Sequence, residues 1–149
     1  MVVRRISFDL DGWDAVDRSD RELVIGRRLE DGAPLTGGDE HAPPDLAATD
    51  AGGLPVIPDF AHIRRARPVH PDERMLRRGY SYDDAPSSGD AISNAGLIFI
   101  SFQSDIGRQF VPVQRRLAEL DLLNTWTTPI GSAVFAIPPG VQEGDWLGS

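Results

Sequence analysis

The 149 residues suffice for one domain with a hydrophobic core, and 40% hydrophobic and 26% charged residues are ordinary proportions for a globular protein. The net charge of −8 argues against a nucleic-acid partner, because the phosphates would be repelled. The absence of cysteine excludes disulfides, thiolate zinc sites and iron–sulfur clusters, and no apolar run approaches the roughly 18 residues of a membrane span.

The first part of the chain predicts a strand, one or two short helices and a long loop. Residues 2–10 alternate apolar and polar side chains, which predicts a strand rather than a secretory signal. Asp9 or Asp11 is placed to cap the amphipathic segment that follows, and Gly26 is placed to end it. Residues 27–57 are rich in Gly, Pro, Asp and Ala, so we expect a long loop insertion there.

The rest of the chain predicts two helices and three strands. A short helix is expected to begin at residues 58–59, and residues 110–123 follow helical spacing. Strands are predicted over three short segments, of which the last is expected to be buried: 75–82 (MLRRGYSY), 97–102 (LIFISF) and 132–137 (SAVFAI).

These elements follow one another as βαββαβ. The series predicts an α+β domain of the ferredoxin-like type, which is an antiparallel sheet with helices on one face. The apolar side chains of the other face cannot remain in water. We therefore expect a second sheet, a partner chain or a large flat cofactor to cover this open face.

The nitrogen ligands available to a metal are the three histidines His41, His62 and His70. His62 lies in the basic segment AHIRRAR, and a neutral imidazole is a good axial ligand of haem iron. The arginines beside it suit haem propionates, because a guanidinium pairs with a carboxylate through two parallel hydrogen bonds. From the residues alone, a surface histidine in a basic turn is the simpler interpretation.

Arg77 and Arg78 are neighbours on a predicted strand, so their side chains point to opposite faces of the sheet. A buried arginine requires an anion or a polar ligand, and in a peroxidase it would stabilise the charge that develops as the O–O bond breaks. The alternative is an arginine at the rim in a salt bridge. Leu97 and Phe99 share one face of their strand and line either a cofactor pocket or the core.

Six segments of the chain occur together in one order: VVRRISFDLDGWDAVDR, ELVIGRRLEDGAPLTG, IPDFAHIRRARP, RMLRRGYSYDD, GLIFISFQSDIGRQFVPVQRRL and GSAVFAIPPG. They resemble the dye-decolourising (DyP-type) haem peroxidase family, in particular its bacterial branch related to the deferrochelatases. The resemblance implies two ferredoxin-like halves that hold haem b between sheet and helices. Residues 1–149 would be the C-terminal haem-binding half, as a fragment or a truncated gene product.

The resemblance also implies roles for individual residues. His62 matches the proximal ligand of the haem iron, and Arg64 is expected to approach a propionate. Arg77 best matches the distal arginine, with Arg78 as the second choice. Apolar residues over the distal face of the haem are matched by Leu97 and Phe99. The implied reaction reduces hydrogen peroxide and oxidises dyes or other bulky donors by one electron at a time.

Two features of the family are absent from the sequence. Its distal aspartate lies in a GxxDG motif, which does not occur here, so we expect weak or no turnover from this chain alone. An acid that orients the proximal imidazole is replaced by Thr125, and another carboxylate would have to act instead. Aromatic residues that either relay electrons or simply pack are Trp13, Trp126, Tyr80 and Tyr82.

Three hypotheses therefore stand beside one another. The chain is a haem peroxidase domain whose other half is supplied elsewhere, a haem-binding module without turnover, or a degenerate ferredoxin-like domain that dimerises. The expected partners are haem, hydrogen peroxide and a bulky reducing substrate. Association is expected through the sheet face or with a missing N-terminal half.

Overall fold

The computed structural model describes residues 1–85, 94–141, 143, 144 and 146. The helices and strands are, in chain order, β1 (Val2–Phe8), α1 (Leu10–Asp14), α2 (Arg18–Ile25), α3 (His62–Arg65), β2 (Leu76–Asp84), β3 (Asn94–Phe102), α4 (Val111–Leu120) and β4 (Thr127–Val134). Short 3₁₀ turns occupy Pro71–Glu73 and Leu122–Thr125, and a π-helical turn at Ile106–Phe110 leads into α4. Within the described ranges, no helix is long and apolar enough to cross a membrane.

The four strands form one antiparallel sheet in the order β2-β3-β1-β4. The central strand β1 pairs with β3 on one side and with β4 on the other, so that Val3 lies between Ile100 and Ala133. A register shift interrupts the pairing of β1 with β4 next to Pro129, which has no N–H to donate to the ladder. This strand order, with helical crossovers, confirms the predicted ferredoxin-like α+β fold.

Alternation along the strands divides the sheet into two unlike faces. The helices cover one of them, which we call the cleft face, and it carries the cross-strand row Arg4, Phe99 and Gly79. The opposite one, the open face, carries the exposed side chains of Leu76, Tyr80 and Phe102. Also on the open face are Arg5, whose guanidinium lies 4.2 Å from the centroid of the Tyr82 ring, and its ion-pair partner Asp84.

A small core joins the insertion to α2 and α3. Val24, Ile57 and Ala61 are buried there. Gly26 ends α2 with a φ of 88°, and a Cβ atom at this glycine would lie 2.7 Å from the Cγ1 of Ile63. Residues 27–57 are all described and contain two isolated bridges but no helix or longer strand, as predicted for the loop insertion.

Several element boundaries differ from prediction by a few residues, and two of the differences have a physical reason. The helix expected to start at residues 58–59 begins at His62, because Pro58 opens a turn in which its carbonyl accepts from the Ala61 N–H at 3.1 Å. The last strand ends at Val134 rather than at residue 137, and it is exposed instead of buried. It lies at the edge of the sheet and pairs with one strand only, which leaves it exposed. An apolar edge strand of this kind looks like a core strand in sequence.

Candidate functional site

A cleft of about 750 Å³ lies between the sheet and the helices. This volume falls within the range of about 300–1,000 Å³ that is usual for small-molecule and cofactor sites. The sheet contributes one wall, which is mainly apolar: Arg4, Ile6, Phe8, Arg77, Leu97, Phe99, Thr127 and Pro129. The helices and turns contribute the other: Trp13, His62, Val113, Gln114, Leu117, Ala118, Asp121 and Trp126.

His62 is the first residue of α3, and its imidazole lines the cleft. Its Nδ1 lies 2.6 Å from Oδ2 of Asp121. Because a carboxylate only accepts hydrogen bonds, Nδ1 carries a hydrogen, and in the neutral imidazole this leaves the lone pair of Nε2 for another ligand. In the part of the chain that the structure describes, no group of three or more His, Cys, Asp or Glu is arranged to hold a metal ion.

Asp121 is a residue of the site that the sequence patterns did not predict. It follows the last residue of α4, and its side chain is only 2% exposed. Oδ1 accepts from the backbone N–H of Leu123 at 3.1 Å, which leaves Oδ2 for His62. Thr125, where the resemblance placed the orienting acid, is exposed in the next turn. The carboxylate beside the imidazole is therefore Asp121, and the sequence signal for it was an aspartate that ends an amphipathic helix.

The sheet wall brings Arg77, Leu97 and Phe99 to the same cleft as His62. Arg78 points to the open face, since adjacent residues of a strand alternate. Gly79 lies opposite Phe99, and a Cβ atom there would be 3.2 Å from Cδ1 of Leu97. The glycine therefore leaves space for Leu97 over the strand.

Arg64 does not line the cleft. Its Nη2 donates to the carbonyl oxygens of Ile57 at 2.6 Å and Leu46 at 2.9 Å, and its Nε lies 3.7 Å from Asp59 Oδ1. The structure thus places Arg64 against the insertion and outside the lining of the cleft. Instead, Arg4 reaches the cleft, and the sequence signal for this is its alternation with Ile6 and Phe8 on β1.

Two of the four aromatic candidates for electron relay border the cleft. The rings of Trp13 and Trp126 meet edge to face, with centroids 5.1 Å apart and planes at 71°. Both residues line the cleft and are partly exposed. Tyr80 and Tyr82 belong to the open face, where the Tyr82 hydroxyl donates to the carbonyl of Ile6.

A largely buried ion pair holds α4 against the segment that follows α3. Arg116 Nη2 lies 2.7 Å from Glu73 Oε2, and Nη1 lies 3.1 Å from Oε1. The same guanidinium donates to the Arg67 carbonyl at 3.0 Å. The hydrogen bonds from Arg116 hold the pKa of Glu73 below its ordinary value of 4.5. This pair therefore fixes the two elements that carry His62 and Asp121.

Comparison with known proteins identifies the family to which this chain belongs. Residues 1–142 match the family model described as Dyp-type peroxidase, C-terminal. The chain is 47% identical over 150 residues to the dye-decolorizing peroxidase of Thermobifida fusca (strain YX), covering 99% of this chain and 34% of that protein. It is 38% identical over 145 residues to the deferrochelatase of Yersinia pestis bv. Antiqua (strain Nepal516), covering 95% and 32%.

A solved structure agrees with these matches. The crystal structure of a DyP-type peroxidase from Cellulomonas bogoriensis has a TM-score of 0.94 at 56% identity, covering 99% of this chain and 40% of that one. The chain spans about a third of the length of the curated relatives it matches, at 34% and 32%. The resemblance found in the sequence is confirmed: the chain belongs to the DyP-type peroxidase family and corresponds to its C-terminal part.

Proposed function

We propose that the cleft binds haem b with His62 as the protein ligand of the iron, and that the chain serves as the C-terminal half of a haem-dependent peroxidase. One observation carries the proposal: an imidazole with a free Nε2 faces an apolar cleft while a buried carboxylate holds its Nδ1. Bound haem would supply the redox chemistry of its iron, which the side chains of this protein lack.

The residues present fit this cofactor. The cleft has the volume of a cofactor site, and its side chains are mainly apolar, as a porphyrin ring requires. His62 would hold the group from the helix wall, while Leu97 and Phe99 would exclude water from the sheet wall. Arg77 would remain on the sheet side, where a guanidinium stabilises the negative charge that develops as a peroxide bond breaks.

Asp121 acts through His62. Its Oδ2 fixes the tautomer and the orientation of the ring, and a carboxylate at Nδ1 makes Nε2 a stronger electron donor. Since the carboxylate is buried and held by the Leu123 N–H, it has little freedom to leave the imidazole. Asp121 is thus a positioning residue of the site.

Asp121→Asn is expected to weaken the binding of ferric haem about tenfold and to raise the reduction potential of the bound iron. An amide donates less electron density to the imidazole than a carboxylate does. Haem titration and spectroelectrochemistry measure the two effects. The matched control is Asp72→Asn, since Asp72 forms an exposed pair with His70, 3.4 Å apart, and neither residue lines the cleft. Equal effects of the two substitutions would contradict the positioning role.

The proposed reaction also needs a group that moves the proton of the peroxide. The sequence has no GxxDG motif, so we infer that another polypeptide segment supplies the distal acid. An apolar surface that such a segment could cover is formed by the exposed side chains of Leu76, Tyr80 and Phe102. The curated relatives are about three times as long as this chain, so they contain further segments. Without it, this chain is expected to bind haem with weak or no peroxide turnover.

Titration of the chain with ferric haem tests the proposal. We expect a saturable Soret band at one haem per chain. Ala118 is exposed at the edge of the cleft, so Ala118→Trp is expected to fill the site and reduce haem affinity without disturbing the core. Ala47→Trp, on the exposed insertion, is the control and is expected to leave affinity unchanged.

Absence of a Soret band with the unaltered chain would refute haem binding by this domain. A band that Ala118→Trp leaves intact would place the haem outside the cleft. Activity is then measured with peroxide and a dye on the loaded chain. Turnover at the level of a complete family member would show that no outside acid is required.

A further inference from the structure

Arg4 is a cation of the cleft to which the proposed function gives no role. It lies on the central strand β1, beside Phe99 of β3, and its side chain lines the sheet wall. A hydrogen bond from its Nη1 to Oε1 of Gln114 joins it to α4 across the cleft. Gln114 is a neutral partner, so it orients the guanidinium without neutralising the charge.

Charge and hydrogen bonding at Arg4 are both incomplete. Among the described residues Arg4 has no carboxylate partner, whereas its neighbour Arg5 pairs with Asp84 at 2.5 Å. The Nε of Arg4 is buried and has no hydrogen-bond partner in this part of the chain; the same holds for Arg5 and Arg21, but those two have carboxylate partners. A buried N–H of a cation is costly when it lacks an acceptor. In a protein of net charge −8, an arginine left unpaired in the cleft indicates an anionic ligand.

We propose that Arg4 pairs with a carboxylate of the porphyrin that occupies the cleft; this inference rests on the proposed function. A guanidinium binds a carboxylate through two parallel N–H bonds, and Arg4 offers such donors beside the apolar residues Ile6 and Phe99. The ring would meet the apolar wall while its carboxylate side chain meets Arg4. Arg4 therefore selects porphyrins that carry free carboxylates.

Arg77 does not take the same role. It lies two strands away from Arg4, on β2, which puts the two backbones roughly 10 Å apart at about 4.8 Å per strand. Arg77 is exposed and next to Ser101, whereas Arg4 is partly buried and oriented by Gln114. Arg4 and Arg77 would therefore contact different parts of a bound porphyrin. Because Arg4 is the more buried of the two, it is the better candidate for a fixed ionic contact.

The test uses metal-free protoporphyrin IX and its dimethyl ester, so that ligation of iron by His62 does not enter the measurement. Binding is followed by quenching of the fluorescence of Trp13 and Trp126, which line the cleft. The unaltered chain is expected to bind the free acid about 10- to 100-fold more tightly than the ester. Arg4→Gln is expected to bind both with the affinity of the ester, and Arg4→Lys to keep part of the preference.

Arg78→Gln is the matched control, because Arg78 lies on the open face, and it is expected to keep the full preference. Circular dichroism of each variant verifies the fold. The inference is overturned if Arg4→Gln retains the preference, or if Arg77→Gln alone removes it. Failure of the unaltered chain to bind either porphyrin would overturn the inference and leave the haem titration to decide the proposed function, whereas equal binding of acid and ester would overturn the role of Arg4 alone.

Discussion

His62→Ala is expected to remove the Soret spectrum of ligated haem and to weaken haem binding by at least about 100-fold. This is more than the loss typical when a partner of a metal ligand is replaced. Among the described residues that line the cleft, His62 offers the only imidazole, and arginines such as Arg4 and Arg77 do not bind iron. Optical titration of the variant with ferric haem measures the effect.

Two controls make this result specific. His70→Ala removes a histidine that also has an aspartate beside it, Asp72 at 3.4 Å, but both are exposed and outside the cleft. It is expected to bind haem like the unaltered chain. Free imidazole added to the His62→Ala variant is expected to restore the band, because it can enter the cleft and occupy the space that the His62 ring leaves. A variant spectrum identical to that of the unaltered chain would rule out His62 as the ligand.

Glu73→Gln is expected to lower the free energy of unfolding at pH 7 by about 3 kcal/mol, because it leaves the largely buried Arg116 without a counter-charge. For a chain of this length that corresponds to a drop in Tm of about 10 °C. Thermal unfolding followed by circular dichroism measures it. The loss also loosens α4 against the segment after α3, so haem binding by the variant is expected to weaken at temperatures well below its Tm.

The contribution of this pair depends on pH in a defined direction. The folded state holds the pKa of Glu73 below 4.5, the value expected in the unfolded chain, so the stabilisation is fully present above that pH. It is lost as the pH falls through the lowered pKa, where the carboxylate takes up a proton in the folded state too. The stability difference between the unaltered chain and Glu73→Gln is therefore expected to shrink below pH 4.5.

Glu30→Gln is the matched control for this substitution. Glu30 is 80% exposed and lies 3.6 Å from Arg18, which is itself 59% exposed. Exposed ion pairs contribute little to stability, so no measurable change in Tm is expected at any pH. A drop in Tm as large as that of Glu73→Gln would show that burial is not the cause.

Local patterns in the sequence predicted the fold because alternation, an apolar run or a residue that ends a helix indicated most of the elements. Alternation gave β1, the apolar run LIFISF gave β3, and Gly26 ended its helix as predicted. Prediction was less accurate where the deciding partner is distant in sequence. The last strand is positioned by its pairing with β1, which begins at Thr127 opposite Phe8, and the apolar segment SAVFAI did not reveal that register.

The site was harder to predict for the same reason. His62 and Asp121 are 59 residues apart in the chain, and their contact depends on the packing of α3 against α4. Arg64 is next but one to His62 in sequence, yet helical geometry turns it to the insertion. Arg4 lies far from both in sequence, and only the sheet brings it to the cleft. The local sequence and the resemblance thus pointed to His62, whereas its neighbours in the cleft could be found only from the tertiary structure.

The hydrogen bonds of Arg64 have a consequence for how this domain can evolve. Arg64 recognises the insertion at main-chain carbonyls, those of Leu46 and Ile57, which every amino acid provides. Side chains at exposed positions of the insertion can then change without loss of the contacts that anchor α3. Homologues can thus acquire different surface loops without any rearrangement around the imidazole.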